Sequence, residues 1–304
     1  MTEECSMKNE EYRMSARRVR FCILHPAFCI LFAASTLLAQ NDRYTATPPL
    51  PLGDSLLSLP TSHIPSEGTW EVKFTHRFNQ SLDQGNFSTR VHSLFGLDSN
   101  ADVGFGLSYV FRPDLQVSMY RSNALDDIET SAKYVVFQQA AAFPGSLALR
   151  GGVDWRTEAN LNDRTSYFAQ AIVSRKIGRL EIFAVPTYVT KAGRALSGNA
   201  SFALFQHAVN VPVCAAVMIA PALSVIAEFV AKNRDLPSTI RTDYGWAVGL
   251  KRAVGGHYFE ILVTNNNATH VDQYVTSTYL GAPLRRGDLH LGFNIERRFG
   301  RHIP

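Results

Sequence analysis

Twelve short segments of this chain alternate apolar and polar residues. In the last segment, residues 288–299, the apolar side chains share one face: Leu289, Leu291, Phe293 and Ile295. A two-residue period is the geometry of a β-strand whose two faces meet different surroundings. The pattern predicts an all-β protein, either a secreted sandwich or a barrel closed in an outer membrane.

The connections between these segments distinguish the two folds. The predicted strands cover residues 69–78, 102–111, 115–120, 128–138, 146–155, 166–176, 180–190, 207–219, 223–232, 243–252, 257–264 and 288–299. Short turns and long polar loops alternate along most of this series. Up-and-down membrane barrels have this alternation, with turns in the periplasm and loops outside the cell, whereas Greek-key sandwiches do not require it. The even strand number predicts that both termini lie in the periplasm.

The two faces of the predicted strands differ in charge. The face assigned to lipid has no Lys, Arg, Asp or Glu at its middle, and reads Trp70, Val72, Phe74, Val103, Phe105, Leu107, Tyr109, Leu147, Leu149, Val153, Leu223, Val225, Phe229, Trp246, Val248 and Leu250. A sandwich would show a similar division of faces. Aromatic residues near strand ends, such as Phe111, Trp155 and Tyr244, suit the interfacial girdles of a membrane barrel. Together these features predict an antiparallel transmembrane barrel of about 12 strands.

The N-terminus predicts export. Four arginines precede an apolar run over residues 21–38, which ends in small residues and Ala39. This order is typical of a signal peptide, so we expect residues 1–39 to be removed, with an uncleaved anchor as the alternative. His25 and Pro26 within the run disfavour a stable spanning helix. No later run is long and apolar enough for a helical membrane protein.

A Pro-rich lead follows, residues 40–68, which contains Pro48, Pro49, Pro51, Pro60 and Pro65. Such a segment runs extended and is predicted to be a periplasmic lead or a plug of the barrel. The barrel is then assigned to residues 69–304.

Charge and cysteine content exclude several classes of protein. The whole chain has 30 Lys+Arg and 26 Asp+Glu, and residues 1–39 hold five and four of these, which leaves 25 and 22. A net charge near +3 is too balanced to predict a nucleic-acid partner. Only Cys214 remains after the signal peptide, so no internal disulfide is expected.

The chain resembles a family of outer-membrane β-barrel proteins known only as a domain of unknown function. The matching segments are EGTWEVKFTHRF, LFGLDSNADVGFGLSY, DLQVSMYRS, AQAIVSRKI, VPTYV and FEILVTNNNATHVDQY with GDLHLGFNIERRF, and they extend from Glu67 to Phe299. The resemblance implies a barrel in the outer membrane and implies no activity, ligand or catalytic residue. The aromatic end of the last strand also resembles the signal that barrel-insertion machinery recognises.

The face opposite the lipid face has mixed charges and is the candidate site. Its lumen-lining candidates are Glu71, Lys73, Arg77, Lys133, Arg150, Asp154, Glu228, Glu260 and Glu296. One interpretation is a selectivity lining for a small solute. The other is a salt-bridge network that fills a non-conducting barrel, and a 12-strand barrel lies between filled and open sizes. Both interpretations remain open.

Three further features bear on function. Within residues 86–98, Leu94, Phe95 and Leu97 are apolar for an exposed loop, and either plug the barrel mouth or rest on neighbouring loops. The histidines match no metal-ligand spacing, so no metal or cofactor is predicted. His270, Asp272 and Ser277 share one loop, but the chain has no nucleophile-elbow motif, so no enzyme is predicted.

The sequence therefore predicts an outer-membrane barrel that passes or binds a small, unidentified solute through a charge-lined lumen. A structural or interaction barrel is the alternative, and a lipid-acting enzyme is less favoured. The expected partners are outer-membrane lipid and the barrel-insertion machinery.

Overall fold

A computed structural model describes residues 51–140, 143–157, 165–191, 207–234, 241–279 and 282–300. The predicted signal peptide, residues 1–39, and the first part of the lead, residues 40–50, lie outside the described residues. The chain divides into two units, and the described residues of the smaller one are 140, 143 and 144. In that unit Ala140 and Phe143 form an isolated antiparallel bridge. The larger unit holds the remaining described residues, from 51 to 139 and from 145 to 300.

The larger unit consists mainly of strands. They are β1 Trp70–Phe78, β2 Ala101–Arg112, β3 Leu115–Ser122, β4 Asp127–Phe137, β5 Ser146–Arg156, β6 Thr165–Ile177, β7 Leu180–Ala184, β8 Thr187–Thr190, β9 His207–Asn210, β10 Val213–Ala220, β11 Leu223–Val230, β12 Gly245–Val254, β13 His257–Thr264, β14 Thr278–Tyr279, β15 Ala282–Pro283 and β16 His290–Phe299. Short helices cover Phe87–His92 and Val271–Tyr274. No helix in the described ranges is long and apolar enough to cross a membrane.

The strands close into a barrel. Each wall strand pairs antiparallel with its sequence neighbour, β5 pairs with β6, and β16 pairs with both β13 and β1. Pro186 separates β7 from β8 and Pro212 separates β9 from β10, so each of these pairs forms one interrupted wall strand. Proline lacks the N–H that a ladder needs, which explains both interruptions. The wall therefore has 12 strand positions, and the predicted fold is confirmed.

The turns follow the predicted alternation. At one end, two residues join β2 to β3, and the pair Gly255 and Gly256 joins β12 to β13 with φ of 52° and 77°. Glycine adopts these angles without strain, as two-residue hairpin turns require. Trp70 of β1 pairs with Phe299 of β16 at this same end. Both ends of the barrel segment therefore lie on the side of the short turns.

The apolar side chains point outward, as predicted. Phe105 is 55% exposed and Leu250 is 48% exposed, whereas their neighbours Gly104 and Lys251 face the interior. A water-soluble fold would bury these apolar side chains. The outward apolar face and polar interior match a wall surrounded by lipid.

The chain itself fills much of the lumen. The lead segment, residues 51–65, contributes four fully buried leucines to the core: Leu52, Leu56, Leu57 and Leu59. They pack with wall residues such as Phe183 and Ile226. From the long-loop end, the inner loop, residues 265–277, folds inward and is almost entirely buried. Two segments thus occupy the interior, one from each end.

One of the two interpretations of residues 86–98 is wrong. Phe87, Leu94 and Leu97 are 74%, 60% and 47% exposed, so this loop does not plug the barrel mouth. The inner loop takes the inward position instead. It is rich in Asn and Thr, whose side chains suit an interior that is itself polar.

Candidate functional site: the charged lumen

The nine candidate residues all project to the inside of the wall. Seven are buried, and Lys73 and Arg150 retain small exposed fractions. Most of their partners fall into three groups: the lead segment, a cluster near the short-turn end, and a cluster beneath the inner loop. Arg150 instead forms an ion pair with Glu129 on the neighbouring strand β4 and donates to Gln170 at 2.9 Å.

Glu228 on β11 is the main anchor of the lead segment. Its carboxylate accepts the backbone N–H of Leu57 at 2.8 Å, of Ser58 at 3.0 Å and of Leu59 at 3.1 Å. Consecutive N–H groups that converge on one anion form a backbone nest. A single wall side chain thereby accepts hydrogen bonds from three consecutive backbone N–H groups at the bend of the lead segment.

A second contact holds the lead segment from the opposite side of the lumen. Lys133 of β4 forms an ion pair with Asp54 and lies 3.3 Å from the carbonyl oxygen of Thr61. Burial alone would raise the pKa of the Asp54 carboxyl, but the Lys133 ammonium outweighs it and the pKa lies below its usual value. Asp54 is therefore a carboxylate in the folded chain.

The short-turn cluster consists of Lys73, Lys251, Glu260 and Glu296. Lys251 Nζ lies 2.5 Å from Glu260 and 3.2 Å from Glu296, and Lys73 lies 3.7 Å from Glu296. Strand register creates this arrangement, since Lys251 is directly opposite Glu260 and Lys73 is directly opposite Glu296. The cluster balances two ammonium groups against two carboxylates.

The lead segment completes the short-turn cluster. Ser55 donates its hydroxyl to Glu296 and accepts from Lys73 at 2.7 Å, and its carbonyl accepts from Lys251 at 2.6 Å. Gly53, with φ of 77°, lies so close that an added Cβ would be 2.9 Å from Glu296. A side chain at this position would clash with the cluster.

The remaining candidates on β1 also have partners. Glu71 binds Arg298 at 2.6 Å. Arg77 donates to Asn294 at 2.7 Å and to the carbonyl of Leu57 at 3.1 Å. The lead segment is thus contacted by side chains from several parts of the wall.

A cluster beneath the inner loop surrounds Asp154. We call it the acidic cluster: Asp127, Asp154, Arg156, His270 and Asp272. All five are fully buried. Arg156 binds Asp272 at 2.5 Å and lies 3.6 Å from Asp127.

His270 connects the inner loop to the wall in this cluster. Its Nδ1 lies 3.5 Å from Asp154 and 3.9 Å from Asp127, and its Nε2 lies 3.1 Å from the Ser122 hydroxyl. Burial disfavours the imidazolium, but Asp127 and Asp154 outweigh it and raise the pKa of His270 to about 9. Ser277, which shares the inner loop with His270 and Asp272, instead accepts the Asn233 N–H at 2.7 Å. The trio of His270, Asp272 and Ser277 is therefore not assembled as a catalytic triad.

Between the lead segment and strands β1 to β5 lies a cavity of about 90 Å³. Charged side chains of both signs line it, among them Glu71, Glu129, Lys133 and Arg150. A buried water needs roughly 10–15 Å³ of such space, so the cavity is large enough for several waters or a very small polar solute. Side chains of the described residues leave this part of the lumen unfilled.

Sequence reasoning missed several of these residues. Lys251 could have been found, because it alternates with the lipid-facing Leu250. Asp54 could not, because it lies on no predicted strand and contacts a wall residue far away in sequence. His270 was singled out in the sequence only with Asp272 and Ser277, and its contact with Asp154 on the wall had no signal there.

The closed wall, its apolar exterior and its charged interior define the class: this is an outer-membrane β-barrel. Residues 53–299 match the family described as membrane bound beta barrel domain (DUF5777), and the chain belongs to this family. The family resemblance inferred from the sequence is confirmed. No curated protein sequence matches the chain.

Solved outer-membrane barrels are similar in fold. An outer membrane channel from Pseudomonas putida F1 shares 11% identity over 78% of this chain and 97% of its own, with a TM-score of 0.47. The NanC porin shares 9% over 77% and 100%, with a TM-score of 0.48. Outer membrane phospholipase A from Escherichia coli shares 9% over 83% and 94%, with a TM-score of 0.41. Such distant similarity assigns no activity to this chain.

Proposed function

We propose that this barrel is a channel for a small polar solute and that its own lead segment closes it at rest. The observation that carries the proposal is how the lead segment is held. Glu228, Lys133 and Lys251 bind its backbone and polar side chains from different parts of the wall. When the lead segment leaves, these charged groups become a hydrated lining.

The distribution of charge around the wall supports passage of a polar solute. Lys133 and Arg150 are directly opposite each other on β4 and β5. Glu260 of β13 lies about halfway around the 12-position wall from them, and Glu296 follows on β16. Each of these regions also holds the opposite charge, since Lys251 and Lys73 lie beside Glu260 and Glu296 and Glu129 lies beside Arg150, so a solute with both charges finds partners of both signs. A zwitterionic or polar solute therefore fits better than an apolar one.

A filled structural barrel is the second candidate. The inner loop occupies the other end of the lumen, and its His270 and Asp272 are joined to wall residues. In this alternative the charge pairs stabilise the barrel and the surface loops carry the function.

We further propose that the barrel has no hydrolytic activity. Ser122, His270 and Asp154 are arranged like a hydrolytic triad, because the Ser122 hydroxyl lies next to His270 Nε2 and an Asp154 oxygen lies nearest to His270 Nδ1. All three are fully buried beneath the inner loop, so a lipid or ester has no route to the serine hydroxyl. Esterase assays on the folded barrel test this, and turnover lost on Ser122→Ala would overturn it.

Export and assembly are part of the same proposal. We expect cleavage after Ala39, which N-terminal sequencing of the membrane-inserted protein would test. We also expect the insertion machinery to recognise the final strand, which ends at Phe299. Phe299→Ala should slow assembly, and an unchanged assembly rate would argue against this expectation.

Planar-bilayer conductance tests the channel. The mature chain should conduct rarely, whereas a variant lacking residues 40–65 should show sustained openings. Because the inner loop also fills the lumen, the deletion is combined in a second variant with a short Gly-Ser replacement of residues 266–276. In the open variant, Lys133→Glu should shift selectivity toward cations.

Folding of each variant is checked by heat-modifiable migration in detergent gels, because a closed barrel resists unfolding by detergent. Folded deletion variants that remain silent would overturn the channel and favour the filled barrel. If the open variant conducts and Lys133→Glu leaves its ion selectivity unchanged, Lys133 does not line the conducting path.

A further inference from the structure

We propose that Asp127, Asp154 and His270 form a binding site for one divalent metal ion of the zinc class, which fastens the inner loop to the barrel wall. Asp127 begins β4, Asp154 lies on β5, and His270 comes from the inner loop. One donor atom from each residue lies within 4.8 Å of the other two. The inference is independent of whether the barrel conducts.

The spacing of the donors fits a shared ion. His270 Nδ1 lies 3.5 Å from an Asp154 oxygen and 3.9 Å from an Asp127 oxygen. Both separations are long for hydrogen bonds. Ligands held roughly 2.0–2.2 Å from a zinc ion lie about 3–4 Å from one another.

The carboxylates have free ligand atoms. Asp154 is fully buried, and neither of its oxygens accepts an ordinary hydrogen bond within the described ranges. The Asp127 oxygen nearest His270 is Oδ2, which also accepts from Gln273 at 3.0 Å and lies 3.6 Å from Arg156, while Asp127 Oδ1 accepts no hydrogen bond within the described ranges. A buried carboxylate without hydrogen bonds is costly unless a cation compensates it. Gln273 orients Asp127 in the way that outer partners orient metal ligands.

The second nitrogen of His270 has the partner that a ligating imidazole needs. The Ser122 hydroxyl can donate to the carbonyl of Ala124 at 3.5 Å, which leaves the serine oxygen to accept from His270 Nε2. Nε2 then carries the proton and Nδ1 presents its lone pair to the two carboxylates. Metal-bound histidines are commonly held by such a hydrogen bond on the opposite nitrogen.

Charge balance also calls for a cation. Arg156 binds Asp272 and lies 3.6 Å from Asp127, whereas the nearest cationic or imidazole group to Asp154 among the described residues is His270, at 3.5 Å. A proton on His270 or a metal ion bound to it can compensate Asp154. A divalent ion would compensate Asp127 as well. One imidazole and two carboxylates favour zinc-class ions over Ca²⁺ or Mg²⁺, which prefer oxygen donors alone.

The test uses the untagged mature chain refolded in detergent, because the buried site would load during folding. One preparation refolds with Zn²⁺ or Co²⁺ and the other with a chelator, and both are then desalted. We expect one retained ion per chain by elemental analysis, visible Co²⁺ absorption bands, and a higher melting temperature for the loaded protein. Asp154→Asn and His270→Gln should lower metal affinity at least tenfold, whereas His257→Gln, on the outer wall, should not change it.

Several outcomes would overturn the site. A folded barrel that retains no metal and melts at one temperature in both preparations would show that a proton on His270 compensates the cluster. Metal retained equally by Asp154→Asn and His270→Gln would be adventitious. If those variants fail to fold, X-ray absorption spectroscopy of the zinc-loaded wild-type protein tests the site. We expect one imidazole and otherwise oxygen ligands around the zinc. A zinc coordination sphere without imidazole would refute the site.

Discussion

The carboxylate of Glu228 on the barrel wall accepts the backbone N–H of Leu57 in the lead segment at 2.8 Å. The next two backbone N–H groups of the lead segment reach the same carboxylate. A buried backbone turn has few ways to satisfy consecutive N–H groups. One wall residue therefore controls whether the lead segment is stable in the lumen.

Replacement of Glu228 should release the lead segment. A hydrogen bond to a charged group contributes about 1.5–3 kcal/mol, and bonds that share one carboxylate contribute less together than the sum of separate bonds, so Glu228→Ala should weaken the seated state by at least about 3 kcal/mol. The measurement uses a single cysteine at Ser58 in a Cys214→Ser background. Maleimide should label that cysteine on the order of 100-fold faster in Glu228→Ala, since 1.4 kcal/mol is about a factor of ten.

The matched control is Glu67→Ala, because Glu67 is exposed just after the lead segment. It should leave the labelling rate unchanged. Equal labelling of the Glu228→Ala and parent proteins would show that leucine packing alone holds the lead segment.

Lys251 should be the most sensitive charge of the short-turn cluster. It is nearly fully buried between Glu260 and Glu296. Lys251→Met leaves two carboxylates without their shared cation, and removal of one partner of a buried pair costs about 3–5 kcal/mol. We expect a clear fall in the temperature at which the barrel loses its compact form on gels.

Glu260→Gln in the Lys251→Met background should restore part of that stability, because it removes one of the uncompensated charges. The double-mutant cycle then gives the coupling energy of the pair. Additive effects would mean that Lys251 acts mainly through the carbonyl of Ser55 in the lead segment.

Strand alternation predicted the wall because it depends only on neighbouring residues. Once Leu107 and Val225 are assigned to the lipid face, the residues that alternate with them must face the lumen. Pairings across the lumen carry no such local signal. Lys133 meets Asp54, which is 79 residues away in sequence and outside every strand.

The two loops show what composition could not decide. For the apolar residues 86–98 it left an inward plug and a loop resting on its neighbours equally open, and the buried loop is the polar one. Asn265 bonds the backbone of Trp246 and Tyr244, and Asn267 bonds the carbonyl of Phe78. In a barrel the interior is polar, so a loop rich in amide groups finds partners there. For the same reason, residues 265–277 should resist protease from outside, contrary to the usual expectation for a long loop.

Acid should loosen the lead segment through Asp54. Burial alone would raise the pKa of the Asp54 carboxyl, but the neighbouring Lys133 ammonium lowers the pKa below its usual value in the folded chain. A lowered folded-state pKa contributes stability that is present above about pH 4 and is lost as the pH falls through the folded value. The labelling rate of the Ser58→Cys reporter, divided by that of a free thiol at the same pH, should therefore rise below pH 4.

Asp54→Asn separates this carboxyl from others that titrate in acid. It should label faster than the parent at pH 7 and show a smaller increase below pH 4. An increase as large as that of the parent would assign the acid effect to other carboxylates.

Neighbouring residues on β2 should respond to the same substitution with losses of different size. Leu107 faces outward, so Leu107→Arg places a charge in lipid at a cost of about 2–4 kcal/mol near the bilayer midplane. Ser108 is buried and lines the cavity that also contains Glu71 and Glu129. The guanidinium of Ser108→Arg can approach those carboxylates, so a milder effect is expected. Equilibrium folding into lipid vesicles measures both variants, and equal losses would show that the outward face of β2 is not in contact with lipid.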